Sequence, residues 1–253
     1  MLTVFGLMLA PFPRGTWLQI AARVFPVGRG LYEGKVGNLW CMLDVRPFDI
    51  QRKVPPAAIR AMCALATAVA SAPFCVMAWR SSRGGAPDGL YMALAGSAMS
   101  AFLFSYHVHE KSVLMPLVMY ASSPLVDPGR VARFAVLAAG GCRFLWGLDG
   151  LVWEARGLAV LCVASLACKE GAGAFFAPAG PRRVDYAYDL SILACLALQL
   201  GVEAAMVLMG PTPVPGLPDL WELIIAVISF GGYGVTWLHM VVAGREAGKF
   251  KDD

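Results

Sequence analysis

The sequence predicts an all-α protein that crosses a membrane several times, and its composition and the spacing of its apolar residues carry this prediction. Of the 253 residues, 58% are hydrophobic and 15% are charged, whereas an ordinary soluble protein has about 25% charged residues. The mean hydropathy is +0.63. A helix that spans a bilayer needs about 20 apolar residues, and the apolar runs here are close to that length. These features exclude an ordinary soluble domain.

Seven apolar segments follow one another between residues 57 and 243, and each is predicted to be a transmembrane helix. Residues 1–13 are apolar but too short to span, so we expect them to be the end of an eighth, truncated helix. Residues 14–56 form a more polar loop, and residues 244–253 form a polar tail. The seven segments are Ala57–Trp79, Leu90–Tyr106, Ser112–Val126, Val131–Leu148, Gly157–Phe176, Leu190–Met209 and Leu220–Ala243.

Basic residues predict the face on which each loop lies, because Lys and Arg collect in the cytoplasmic loops of membrane proteins. Loops with two basic residues alternate with loops that hold few. This alternation places the tail in the cytoplasm and the loop at residues 107–111 on the opposite, lumenal or outer face. The basic residues assigned to the cytoplasmic side are Arg80, Arg83, Arg130, Arg133, Arg182, Arg183, Arg245, Lys249 and Lys251.

The loop at residues 14–56 disagrees with this rule, since the alternation puts it on the outer face although it holds seven basic residues. Two interpretations are open. Part of the loop turns back toward the cytoplasm, or function keeps positive charge outside, for example to bind anionic lipid phosphates. Within the loop, an apolar face predicts an interfacial amphipathic helix that contacts lipid or the protein core. That face consists of Leu31, Val36, Leu39, Trp40 and Leu43.

A short polar motif closes the second apolar segment, within residues 102–112 (FLFSYHVHEKS), here called the histidine motif. His107, His109, Glu110 and Lys111 lie where a hydrophobic helix meets water, so the motif is a candidate site for a charged group at the membrane face. Zinc is disfavoured there, because the two histidines lack the i, i+4 spacing of helical HExxH sites. The third histidine, His239, is interpreted as a packing residue near the end of the last segment.

A second motif, residues 23–41 (RVFPVGRGLYEGKVGNLWC), precedes the histidine motif and is called here the arginine motif. Together, in this order, the two motifs resemble those of the endoplasmic reticulum dolichyl-phosphate-glucose glucosyltransferases of asparagine-linked glycosylation. The resemblance runs from about Thr3 to Ala243 and implies a GT-C-like membrane fold. Around Tyr32–Lys35 the arginine motif is more similar to the members that add the first glucose than to those that add the second.

The resemblance implies an inverting hexosyltransferase, in which dolichyl phosphate glucose donates glucose to a mannose hydroxyl of a dolichyl-diphosphate-linked oligosaccharide. This chemistry needs a carboxylate to take the hydroxyl proton and positive or hydrogen-bonding groups to stabilise the departing phosphate. His109 matches the histidine of the family's His-Glu-Lys motif and is the expected catalytic residue. For the candidate site residues, purely structural roles are also open, such as capping a helix, snorkelling of a long side chain to the membrane surface, or ion pairs within the loop. The expected substrate-binding residues are Arg29, Glu33, Lys35, Glu110 and Lys111.

The resemblance also implies what this chain lacks. Family members carry their general base, an aspartate, in a lumenal loop near the amino terminus, and no stretch here matches that loop. We therefore expect the chain to be a carboxy-terminal half, inactive in isolation, with a separate amino-terminal half as a partner. Membrane lipids and the two dolichol-linked substrates are the other expected partners. We expect no metal ion, no other cofactor and no nucleic acid.

The expected location is the endoplasmic reticulum membrane, with the active face in the lumen and the carboxy terminus in the cytoplasm. Lys249 and Lys251 fit the dilysine pattern of endoplasmic reticulum retrieval. Two alternatives are open: the second glucosyltransferase of the pathway, and a non-catalytic membrane binding protein or small transporter. A transporter should hold ionisable residues along a path inside its helices. The few candidates are Arg143, Lys169, Glu170 and Glu203, which lie in different segments.

Overall fold

The computed structural model of the protein describes residues 13–17, 19, 36–44, 48–84, 87–141, 183–210 and 220–249, and the regular elements within these ranges are helices. Two short 3-10 turns cover Arg14–Thr16 and Glu110–Val113. The predicted segment Gly157–Phe176 and residues 1–12 of the predicted truncated helix lie outside the described residues. The α-helices are α1 (Leu39–Leu43), α2 (Ile50–Lys53), α3 (Pro56–Gly84), α4 (Pro87–Phe104), α5 (Leu114–Ala121), α6 (Pro128–Gly141), α7 (Arg183–Met209) and α8 (Leu220–Lys249).

Three of these helices are long and apolar enough to cross a membrane, at residues 56–83, 185–206 and 220–245. Shorter apolar helices cover residues 89–104 and 111–121. Large apolar side chains remain exposed along α3 and α7, including Leu65, Val69, Leu198 and Leu208, as is expected of helices that face lipid. The prediction of an all-α polytopic membrane fold is therefore confirmed for the part of the chain that the structure describes.

Helix α5 is shorter than the predicted segment Ser112–Val126, because the chain turns at residues 122–127. The Ser122 hydroxyl donates back to the Val118 carbonyl over 2.9 Å, and Pro124 two residues later cannot continue a helix. Asp127 then starts α6 by accepting from the backbone N–H of Gly129 over 2.8 Å. The prediction of one helix through residue 126 was wrong for this reason.

Helix α8 is the centre of the bundle and packs against α3, α4, α6 and α7. It runs antiparallel to α4, because the Trp237 indole N–H donates to the Ser100 hydroxyl over 2.8 Å, while Tyr233, one turn earlier, meets the Phe102 ring at 5.3 Å. Between α3 and α4 the Phe74 ring packs directly on Gly96, where an added Cβ would overlap the ring. These contacts fix the end of α4, from which the histidine motif continues.

A smaller apolar cluster joins the loop before α3 to the start of that helix. Its buried members are Trp40, Ile50, Ile59 and Cys63, and Tyr106 of the histidine motif packs against them. The cluster therefore brings α1, α2, the beginning of α3 and the turn after α4 to one end of the bundle.

Candidate functional site

The arginine motif and the histidine motif meet through a partly buried hydrogen bond. The indole N–H of Trp40 donates to the backbone carbonyl of Phe104 over 2.6 Å, although the two residues are 64 positions apart. Phe104 is the last residue of α4, and the carbonyls of a last helical turn lack partners within the helix. Trp40 satisfies one of them while only 3% of its own surface stays exposed. The end of one motif is thus fixed to the beginning of the other.

The end of the arginine motif is also fixed to α8. Asn38 begins α1 as its N-cap, and its side-chain oxygen accepts from the backbone N–H of Cys41 over 2.9 Å. Gly37 lies so close to α8 that an added Cβ would be 3.1 Å from both the Phe230 nitrogen and the Tyr233 ring. Of the predicted amphipathic face, Leu39, Trp40 and Leu43 lie in α1, Val36 is buried in non-helical chain before it, and Leu31 lies outside the described residues.

The histidine motif leaves α4 through a turn with unusual backbone geometry. His107 has a φ of 56°, in the left-handed region that few residues other than glycine adopt. Val108 is buried, and the rings of His107 and His109 meet edge to face at 5.2 Å. His109 precedes the 3-10 turn at Glu110–Val113, and its backbone carbonyl accepts a hydrogen bond from the backbone N–H of Ser112 over 3.0 Å. The turn therefore presents the motif's side chains from a fixed backbone.

A groove of about 570 Å³ opens between α4 and α5 beside this turn. Its walls are mostly small or apolar side chains, whereas its polar members all belong to residues 105–112. The part of the groove next to the turn is therefore polar and lined by Lys111, and the rest is apolar. The lining residues are Ala98, Ala101, Phe102, Ser105, His107, Val108, Lys111, Ser112, Leu114, Met115, Val118 and Met119.

The structure brings together some of the predicted site residues. Lys111 is exposed and lines the groove, with His107 beside it. The His109 ring packs on His107 but is not part of the groove wall. Glu110 begins the 3-10 turn, and its side chain lies outside the described residues. Arg29, Glu33 and Lys35 also lie outside the described residues.

Sequence reasoning missed the groove itself, although its signal was present. Ala98, Ala101, Phe102 and Ser105 recur at the i, i+3, i+4, i+7 spacing of one helical face. The same spacing is equally typical of a helical face that packs against another helix. The groove becomes visible only in the fold, where the turn at residues 105–109 places the start of α5 beside the end of α4.

The analysis of the sequence also missed a set of buried polar side chains where α5, α6, α7 and α8 meet, called here the buried charge cluster. Arg133 donates from Nη2 to Asp189 Oδ1 over 2.6 Å, and both side chains are almost fully buried. Arg130 lies 3.4 Å from Asp189 and from Asp185. Burial would lower the pKa of Arg130, but these two carboxylates outweigh burial and raise it. The members are Tyr120, Arg130, Arg133, Asp185, Asp189 and His239.

His239, interpreted from the sequence as a packing residue, completes the cluster by hydrogen bonds. Its Nε2 lies 3.2 Å from Asp185 Oδ1, and its Nδ1 lies 3.2 Å from the Tyr120 hydroxyl. The ring also stacks on Tyr188 at 4.3 Å. Two guanidinium groups face two carboxylates, so the charges of these described members offset one another. The cluster therefore joins α5, α6, α7 and α8.

Comparison with known proteins adds sequence relatives to this geometry. The chain is 27% identical over 222 residues to the probable dolichyl pyrophosphate Man9GlcNAc2 alpha-1,3-glucosyltransferase of Drosophila melanogaster, covering 87% of this chain and 44% of that protein. It is 31% identical over 227 residues to the protein of the same name from Schizosaccharomyces pombe, covering 87% and 41%. The Gallus gallus dolichyl pyrophosphate Man9GlcNAc2 alpha-1,3-glucosyltransferase is 32% identical over 157 residues, covering 60% and 30%.

These alignments show that the chain spans less than half the length of the curated relatives it matches. A model of the ALG6, ALG8 glycosyltransferase family matches residues 1–239. The chain therefore belongs to the ALG6, ALG8 glycosyltransferase family.

Proposed function

We propose that this chain forms the donor-binding half of a glucosyltransferase of the endoplasmic reticulum membrane. In this proposal, the enzyme moves glucose from dolichyl phosphate glucose to the mannose arm of a dolichyl-diphosphate-linked oligosaccharide on the lumenal face. The observation that carries the proposal is the groove between α4 and α5, which combines apolar walls with a polar end at Lys111. A polyprenyl phosphate has the same two parts, an apolar chain and an anionic head.

The polar end of the groove suits a phosphate for electrostatic reasons. An ammonium group binds phosphate oxygens by charge-assisted hydrogen bonds, which are about twice as strong as neutral ones. Lys111 is exposed at the groove, so it loses little hydration before a phosphate arrives. His107 stands beside it and supplies a further ring nitrogen. Glucose attached to this phosphate would extend away from the groove, toward the side where the arginine motif ends.

Transfer of glucose leaves a phosphate that gains negative charge, and groups positioned to meet that charge speed the reaction. We assign this role to His109, supported by Lys111, and we assign to Glu110 the orientation of its two neighbours. The Trp40–Phe104 bond holds the end of the arginine motif next to this turn. That contact supports a shared site in which Arg29, Glu33 and Lys35 bind the phosphate or sugar groups of the substrates.

The inverting reaction also needs a carboxylate that takes a proton from the attacking mannose hydroxyl. We assign no residue of this chain to that role, and we propose that an amino-terminal half supplies it. The isolated chain is then expected to bind the donor without turning it over. The relatives in fly, fission yeast and chicken act on a Man9GlcNAc2 acceptor by their names, which favours addition of the first glucose over the second.

A photoreactive polyprenyl phosphate glucose tests this function directly. The chain is placed in lipid nanodiscs, the probe is cross-linked from the first isoprene units, and the modified peptides are mapped by mass spectrometry. We expect labels on residues 98–119, and we expect Lys111→Gln to weaken labelling about tenfold through loss of a charged hydrogen bond. Arg83→Gln is the matched control, because Arg83 is exposed and stacks on Trp79 at 4.2 Å, far along α3.

Labels spread over the exposed faces of α3 and α7, unchanged by Lys111→Gln, would instead mean that the probe only follows the surrounding lipid. That outcome would contradict binding of the lipid in the groove, and it would therefore contradict the proposed function of this chain.

A further inference from the structure

The third histidine of the chain joins two helices that do not follow one another in the sequence. His239 lies on α8, its Nε2 meets Asp185 of α7, and its Nδ1 meets Tyr120 of α5. Because a carboxylate only accepts hydrogen bonds, a neutral ring carries its proton on Nε2 and accepts from the Tyr120 hydroxyl at Nδ1. His239 is almost fully buried, with 3% of its surface exposed. Its two bonds therefore define which way the ring faces.

Tyr120 is the point at which α5 is held. Its side chain is fully buried, its ring meets Phe134 of α6 edge to face at 5.7 Å, and its hydroxyl reaches His239. The Phe134 ring in turn meets Tyr233, and Tyr233 meets Phe102 at the wall of the groove. The last turn of α5 is thus tied both to the buried charge cluster and, through aromatic rings, to α4.

The other end of α5 carries the candidate site. Tyr120 lies eleven residues after His109, which is roughly 16 Å along a helix. Between them lie Lys111 and four of the groove residues, Leu114, Met115, Val118 and Met119. An eight-residue helix with one 3-10 turn is too short to be stable by itself. Its position must therefore come from contacts such as the one at Tyr120.

We propose that His239 is a positioning residue: through Tyr120 it fixes α5, and through α5 it fixes the turn that carries His109 and Lys111. Asp185 orients the ring of His239, and Arg130 lies 3.4 Å from the same Asp185 oxygen. The consequence for phosphate binding rests on the proposed function, whereas the mechanical coupling from His239 to the turn does not.

Hydrogen–deuterium exchange of the chain in nanodiscs measures this coupling, with peptides that cover residues 105–121. Tyr120→Phe keeps the ring and removes the hydroxyl, and loss of one buried hydrogen bond corresponds to about a tenfold rise in exchange. We expect that rise across α5 and the preceding turn. Ser100→Ala is the matched control: it removes a buried hydrogen bond of α8 to α4, so we expect no change in α5.

Two substitutions of His239 separate positioning from a general loss of structure. His239→Asn keeps an acceptor close to the place of Nδ1, and His239→Gln keeps a donor close to the place of Nε2. Only the acceptor serves Tyr120. We therefore expect His239→Asn to preserve slow exchange in α5 to within about twofold, while His239→Gln behaves like Tyr120→Phe.

The affinity for a polyprenyl phosphate, measured on the same samples, separates the inference from the proposed function. Faster exchange in α5 with weaker phosphate binding supports both. If the variants exchange faster in α5 but the wild-type chain binds no polyprenyl phosphate, the coupling from His239 to the turn is supported and the proposed function is contradicted. Equal exchange in wild type, Tyr120→Phe and His239→Gln would overturn the inference, and so would equal loss of protection in His239→Asn and His239→Gln.

Discussion

The indole N–H of Trp40 donates to the backbone carbonyl of Phe104, and this 2.6 Å bond joins the two motifs by which the chain resembles its relatives. Trp40 lies near the end of the arginine motif, in the five-residue helix α1. Phe104 is the point at which α4 ends and the histidine motif turns. The bond explains why two stretches so far apart in the sequence contribute to one end of the bundle.

Removal of this bond should loosen the site while leaving the helices in place. Trp40→Phe keeps most of the buried ring but leaves the Phe104 carbonyl unsatisfied, at a cost of about 1–3 kcal/mol. We expect a lower unfolding temperature of the chain in detergent and weaker binding of polyprenyl phosphate. Trp79→Phe is the control, because Trp79 is 59% exposed on α3. Equal effects of the two substitutions would show that Trp40 contributes by size alone.

Filling the groove should block the lipid without touching a charge. Ala101 is exposed and lines the groove, so Ala101→Trp places a large ring where the first isoprene units are proposed to lie. We expect binding of polyprenyl phosphate to fall at least about tenfold, since the ring and the lipid exclude one another. Ala61→Trp, on the exposed face of α3, should leave binding unchanged. Normal binding to Ala101→Trp would place the lipid elsewhere.

Removal of one partner from the buried charge cluster should lower stability strongly, whereas replacement of both partners by apolar residues should lower it much less. Arg133→Met leaves Asp189 buried without the Arg133 guanidinium, and removal of one partner of a buried pair costs about 3–5 kcal/mol. The double variant Arg133→Met with Asp189→Leu removes both charges, so we expect it to recover much of the loss. Thermal unfolding in detergent measures each variant. A double variant no more stable than Arg133→Met would contradict this account of the cluster.

His109 should affect the chemical step in an enzyme that is complete. We expect His109→Ala to lower glucose transfer by about 100-fold, the typical effect of losing one group that stabilises developing negative charge. The assay combines this chain with the amino-terminal half of a relative, a dolichyl phosphate glucose donor and a Man9GlcNAc2 acceptor lipid. Donor binding should change much less than the rate, because the charge on the phosphate grows only as the bond breaks. A loss of binding with an unchanged maximal rate would assign His109 to donor binding alone.

Much of the fold was predictable because apolar runs of membrane length have few alternatives. Helices α3, α7 and α8 follow directly from composition, and the boundary at Phe104 was missed by only two residues. The polar character of the histidine motif was also visible, since two histidines, a carboxylate and an amine stand together between apolar segments. Local sequence was sufficient for each of these features.

The remainder depends on contacts between distant residues, which no local pattern contains. Arg130 and Arg133 were interpreted only as basic residues around a cytoplasmic loop, because their partners on α7 come more than 50 residues later. In the sequence His239 lies among mainly apolar residues, so a packing role was the simplest interpretation. The groove was not predicted for a related reason, because it depends on the turn at residues 105–109 that places α5 beside the end of α4.

Comparison of two lipids tests the central claim most directly. The chain in nanodiscs is titrated with a polyprenyl phosphate and, separately, with the polyprenol of the same length, which differs only by the phosphate. We predict that the phosphate binds at least about tenfold more tightly, and that Lys111→Gln removes most of this difference because the ammonium supplies it. Equal binding of the two lipids to the wild-type chain would show that the groove takes apolar chains alone, and it would contradict the proposal that this chain binds the donor.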